Sequence, residues 1–164
     1  MRVVIDENSG FCFGVVRAIS EAESALKQRS DVYCLGDIVH NRVEVQRLEG
    51  LGLHTVSHGD ISSLGGRTLL IRAHGEPPTT YSLAKEQGVD IIDATCPVVA
   101  RLQRRVRDAY ALMSKVGGRV VLLGKRGHAE VVGLTGQVAD DVTVVENEAD
   151  LETIDYKRPI YFLS

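Results

Sequence analysis

Short apolar runs alternate along this chain with longer stretches whose apolar residues recur every three to four positions. The short runs, bounded by glycine, proline, asparagine or aspartate, predict strands over 2–5, 32–35, 53–56, 68–72, 89–93, 119–123, 142–146 and 159–163. The longer stretches predict helices over 15–28, 42–50, 79–87, 97–116, 129–137 and 149–154. Val15, Ile19, Ala22 and Leu26 share one helix face; Val98, Leu102, Val106, Ala109 and Met113 share another. Gly88 stops the third helix, and the strand after it, with Val89, Ile91 and Ile92, reads as buried. Strands that alternate with helices throughout predict an α/β fold with parallel sheets. Ligands of such folds sit beyond the C-terminal strand ends.

The pattern occurs twice. RVVID leads through a turn with Gly10 and Gly14 to Cys12 and a long helix; VDIID leads to Cys96, Pro97 and another. VYCLGDIVHN and VVLLGKRGHAE then match as a strand ending in Leu-Gly and a following histidine, His40 or His128. A period of roughly 85 residues is too long for a solenoid and reads as duplicated subdomains. The expected division is a first lobe over 1–95 and a second over 96–164. The first unit continues into RTLLIRAHG, which delivers His74 to a turn. The second reaches RPIYFLS and Ser164, close to where a counterpart of His74 would fall. The chain therefore reads as cut within its second unit, either a fragment or a natural short form.

Position gives these residues their chemistry. Cys12 and Cys96 both precede a helix, where unsatisfied backbone N–H groups and the helix dipole favour a thiolate. Two cysteines at matched turns suggest a shared metal centre. Zinc would call for close cysteine pairs, which are absent, whereas iron–sulfur clusters accept cysteines far apart in sequence. Two cysteines are not a usual complement for a cluster; a third unit would complete it. His40, His74 and His128 all follow strands, and several imidazole N–H donors around one pocket suit a diphosphate. Glu130, at a helix start beside His128, stabilises that helix or serves as a general acid. Cys34 lies inside a strand and reads as core; His54 and His58 read as surface residues.

Composition narrows the classes. The chain has 164 residues, 44% of them hydrophobic, which is enough for a packed core. A net charge of −3 and no Trp argue against a nucleic-acid binder. No apolar run approaches the ~18 residues of a membrane span, and no signal peptide is apparent. Three widely spaced cysteines do not make a disulfide framework, so a reducing cytoplasm is the natural location.

SGFCFGVVRAI, DIVHN, AHG, DATCP and GHAEVVGLTGQ occur in this order across essentially the whole chain. Together they resemble the N-terminal half of the LytB-type 4-hydroxy-3-methylbut-2-enyl diphosphate reductases of isoprenoid synthesis. The resemblance implies two of three lobes of a pseudo-threefold trefoil around a 4Fe–4S cluster. Cys12 and Cys96 match two of the cluster's three cysteines; the third is absent from this sequence. It also implies diphosphate binding by His40, His74 and His128, and proton donation by Glu130. The family's Pro-Glu-Val is Ala-Glu-Val here, with Ala129 in place of proline. The implied reaction is reductive dehydroxylation to isopentenyl and dimethylallyl diphosphate in the non-mevalonate pathway. A ferredoxin- or flavodoxin-like donor would supply the electrons. Residues 1–13 would contribute a strand to a third lobe, and this chain alone is expected to be inactive. The alternatives are a non-redox diphosphate-binding module and a thiol-dependent enzyme built on Cys96.

Overall fold

A computed structural model describes residues 2–4, 6 and 9–164. Two parallel sheets carry them. The first contains β1 (Val32–Leu35), β2 (Leu53–Val56), β3 (Thr68–Ile71) and β4 (Asp90–Asp93), in the order β2-β1-β3-β4. The second contains β5 (Arg119–Leu123), β6 (Thr143–Val145) and β7 (Ile160–Leu163), in the order β6-β5-β7. β1 and β5 thus each lie between the two strands that follow them, the same winding performed twice. This agrees with the duplication read from the sequence. A six-residue 3-10 segment recurs at the same place in both units: His58–Ser63 opens on a Ser57/Asp60 capping box, Glu148–Thr153 on an Asn147/Asp150 one.

Five α-helices connect the strands: α1 (Phe13–Gln28), α2 (Arg42–Glu49), α3 (Pro78–Glu86), α4 (Pro97–Lys115) and α5 (Ala129–Thr135). α1 buries Ala18, Ala22 and Ala25 against Val32, Cys34 and Leu70, with Val15, Ile19 and Leu26 flanking. Alanines on that face let the helix approach the sheet closely. α4 packs Leu102, Val106, Ala109 and Met113 against Val120, Leu122 and Leu163. β3, central in its sheet, is buried at all four positions, as parallel strands covered on both faces are.

Several expectations change. No strand forms at residues 2–4, and residue 5 of that expected strand lies outside the described residues. β4, expected to be buried, is a half-exposed edge strand, paired among the described residues with β3 alone; Ile91 and Ile92 pack on opposite sides of the sheet. Val98 is 56% exposed, because the packed face of α4 begins at Leu102. The helix over 129–137 divides into α5 and a 3-10 turn, Gly136–Val138, and the one over 149–154 is the second 3-10 segment. Six residues are too few to propagate an α-helix without a packed face.

The two sheets meet where the loop after β3, His74–Pro77, presses on α5. A Cβ on Gly133 would stand 3.2 Å from the Gly75 carbonyl oxygen, and one on Gly136 would stand 2.6 Å from Pro77 Cβ. Only glycine permits an approach this close at either position. The Gln137 amide secures the contact, donating to the carbonyls of Glu76 (3.2 Å) and Gly133 (2.8 Å). Among the described residues, no helix is long and apolar enough to cross a membrane.

Candidate diphosphate and metal site

Cys12 and Cys96 are the N-cap residues of α1 and α4, and neither side chain caps its own helix. Both thiols are free of disulfides, Cys12 exposed and Cys96 half-buried. The two turns adjoin. A Cβ on Gly14, two residues past Cys12, would lie 2.7 Å from Cys96 Sγ. Arg17, on the next turn of α1, donates to the Thr95 carbonyl at 2.9 Å. The Cys96 turn is shaped by Asp93, whose carboxylate accepts from the Thr95 N–H at 2.9 Å and from the Tyr81 hydroxyl at 3.0 Å. The Cys96 N–H in turn donates to the Ala73 carbonyl at 2.9 Å, which places this cysteine beside the loop that carries His74. Cys34 is a core residue, as its place in the strand implied: it is fully buried in β1. Burial pushes its thiol up to about 12, against the lowering effect of Arg72.

The three singled-out histidines converge. Ring centroids lie 5.2 Å apart for His40 and His74, 5.6 Å for His74 and His128, and 5.9 Å for His40 and His128. One nitrogen of each falls within 4.8 Å of the others. The Glu130 backbone N–H donates to His128 Nδ1 at 3.3 Å. Nδ1 is therefore the acceptor, and Nε2 carries the proton that a ligand would meet. Glu130 itself is half-buried in the first turn of α5, two residues from that ring. Nδ1 of His74 is buried without a hydrogen-bond partner, as is Nε of the nearby Arg72.

A cavity of about 620 Å³ opens from His40 and His128, and its wall includes Arg72, Lys125 and Arg126. Arg126 is anchored by Asp150 through both its NH groups (2.8 and 2.9 Å) and by the Val144 carbonyl. Three imidazoles so spaced can gather a cation or hold an oxyanion; Arg72 and Lys125 on the wall favour the oxyanion, while the charge of Arg126 is met by Asp150 and Glu146. His58 is exposed, as read from the sequence, and it also stands on this wall. Its ring lines the cavity, and Nε2 lies 2.7 Å from the carboxylate of Glu76, which is 3% exposed. His54 stays on the exposed side of β2, its ring against Tyr33. Arg72, Glu76, Lys125 and Arg126 went unmarked in the sequence. The only available signal was their adjacency to the histidine turns.

Burial holds the His74 imidazole at about 4 instead of its ordinary 6.5, with Arg72, His40 and His128 adding to the effect. The fold thus favours the neutral ring, while the unfolded chain takes up its proton at higher pH. Between these two values the unfolded state binds more protons, so stability declines as pH falls and is fully retained above 6.5. Thermal melts of the ligand-free chain from about pH 8 to about pH 4.5 are expected to show this decline, and His74→Asn to flatten it. An equal decline in the variant would remove His74 as the cause.

Comparison with known proteins follows the same lines. The LytB protein family pattern matches residues 3–164. The chain is 53% identical over 163 residues to a 4-hydroxy-3-methylbut-2-enyl diphosphate reductase of Porphyromonas gingivalis, covering 99% of this chain and 56% of that protein. It is similar to the structure of E-1-hydroxy-2-methyl-but-2-enyl-4-diphosphate reductase from Plasmodium falciparum. That match has a TM-score of 0.84 and 29% identity, over 96% of this chain and 49% of that one. It is also similar to a structure described as (E)-4-hydroxy-3-methyl-but-2-enyl diphosphate reductase, the terminal enzyme of the non-mevalonate pathway. There the TM-score is 0.72 and the identity 39%, over 92% of this chain and 53% of that one. The chain thus spans a little over half the length of the curated relatives it matches.

Proposed function

This chain belongs to the LytB protein family, the premise from which we propose that its histidine-lined cavity holds the diphosphate of 4-hydroxy-3-methylbut-2-enyl diphosphate for reductive removal of the 4-hydroxyl. The observation that carries this reading is the convergence of His40, His74 and His128 within 4.8 Å, beside the Cys96 turn and under a cationic wall.

The cysteine turns fit an iron–sulfur cluster as far as their residues go. Both thiols stand at helix N-termini, neither caps its own helix or forms a disulfide, and the missing Cβ at Gly14 lets α1 approach Cys96 Sγ closely. Cys12 and Cys96 would supply two ligands; Cys34, sealed in β1, supplies none. A cluster held by these turns would relay, one at a time, the two electrons needed to break the C–O bond. The protein's part is placement and proton delivery. His128 Nε2–H, with His40 and His74, grips the diphosphate and fixes the distance from it to the cysteine turns. Glu130 protonates the departing hydroxyl so that it leaves as water, and a second proton, taken up from solvent, closes the new C–H bond of the product. Electrons would come from a ferredoxin- or flavodoxin-like donor, and a cytoplasmic location suits free thiols.

Inorganic pyrophosphate is expected to bind the 164-residue chain and to raise its melting temperature. The His128→Asn variant should weaken binding by about tenfold through loss of one charge-assisted contact. Equal binding by wild type and variant would overturn the placement of the diphosphate. Anaerobic treatment with iron and sulfide separates the redox reading from a purely diphosphate-binding one, which would take up no iron. With two of three cysteines present, the chain by itself is not expected to turn over.

A further inference from the structure

We propose that His58, held by the buried carboxylate of Glu76, extends the anion site beyond the three-histidine cluster and selects for a two-phosphate anion over a single phosphate. This rests on the anion-binding reading of the cluster. His40 and His128 belong both to the cluster and to the cavity; His74 belongs to the cluster, and His58 to the cavity wall. His58 thus shares a cavity with two members of the cluster, and in the proposal it meets the phosphate that the cluster does not.

The pair is built for orientation. Glu76 follows the His74–Gly75 turn directly and is 3% exposed, yet its Oε2 lies 2.7 Å from His58 Nε2 and 3.3 Å from the Thr80 hydroxyl. Its backbone carbonyl is fixed by Gln137 from the second unit. An acceptor this constrained fixes the imidazole plane: Nε2–H is committed to the carboxylate, and in the doubly protonated ring that the proposal requires, Nδ1–H is the donor left for an anion. The side chain of His58 is 56% exposed, so a ligand can reach it. His40, Arg72, Lys125, Arg126 and His128 line the same cavity, which leaves Glu76 as the only carboxylate on this wall among the described residues. Its charge is directed at His58. A purely structural pair tying the 3-10 segment to the β3 loop would have no reason to sit on a ligand cavity with its imidazole exposed.

The test is calorimetric titration of the whole chain with inorganic pyrophosphate and, separately, orthophosphate. His58→Gln, which still offers Glu76 a donor, is expected to weaken pyrophosphate binding about tenfold, the effect of one charge-assisted hydrogen bond. Orthophosphate binding should stay within about twofold, since a single phosphate occupies the cluster alone. His58→Lys, which restores a cation at the same place, should recover most of the preference, a rescue that a structural role would not show. Losses equal for both anions, or no loss for either, would overturn the proposal. Failure of the wild type to bind either anion, or full binding by His40→Asn, would overturn the reading of the cluster itself and this proposal with it.

Discussion

On the proposed reductase reading, Glu130→Gln in a full-length protein that contains this sequence is expected to lose about 10²–10⁴-fold in turnover, the range for a deleted general acid. Glutamine keeps the length and polarity of the side chain. It also leaves untouched the backbone N–H that donates to His128 Nδ1. Pyrophosphate affinity should consequently remain within about twofold of wild type, since the N–H donors that grip the anion are unchanged. The split is diagnostic. A residue that only stabilised the first turn of α5 would lower the melting temperature and affinity together, at a cost of about 0.3–1 kcal/mol. Single-turnover measurement with chemically reduced protein, alongside calorimetry with pyrophosphate, separates the two outcomes. Turnover within about threefold of wild type would remove Glu130 from the proton path.

Cys96→Ser is expected to abolish retention of iron and sulfide at the paired turns, and Gly14→Ala to reduce it by about tenfold. The second variant is the sharper one. Gly14 is the second residue of α1, where alanine is as compatible with the helix as glycine, so α1 itself should not lose from the change. The added Cβ, however, would sit 2.7 Å from Cys96 Sγ and push the sulfur from its position. Lower iron with an unchanged or higher melting temperature would place the defect at the sulfur. Iron and sulfide assays after anaerobic reconstitution, with absorbance at about 400 nm, give the readout. Normal iron content in Gly14→Ala would show that the cluster, if bound, does not depend on this approach of the two turns.

Elements whose boundaries depend on local chemistry were legible from the residues alone. VYCL, LHTV and RVVLL are short apolar runs between glycine, serine or aspartate, and β1, β2 and β5 have the expected limits. Gly88 stops α3 within a residue or two of the expected end. Boundaries that depend on distant partners were not legible. Nothing in VDIID marks β4 as an edge strand, since that depends on which neighbours the sheet acquires. Nor does periodicity show that α4 begins its packed face at Leu102 and leaves Val98 in solvent. The convergence of His40, His74 and His128 could be anticipated because two of the three turns repeat. His58 could not: its partner, Glu76, lies 18 residues away beyond β3, and the position that matches His58 in the second unit's 3-10 segment is Glu148, not a histidine. A buried carboxylate is expensive unless paired, so its partner is dictated by the packed loop and not by sequence spacing.

The contact of the His74–Pro77 loop with α5 has a thermodynamic consequence. An anion gripped by His74 from one sheet and His128 from the other binds only when both sheets are folded and docked. Its binding free energy, RT ln(1 + [L]/Kd), is therefore added to the stability of the docked pair as a whole. Without that clasp the halves are free to melt at separate temperatures; with it they gain a common transition, and scanning calorimetry at rising pyrophosphate should show two heat-absorption peaks drawing together into one.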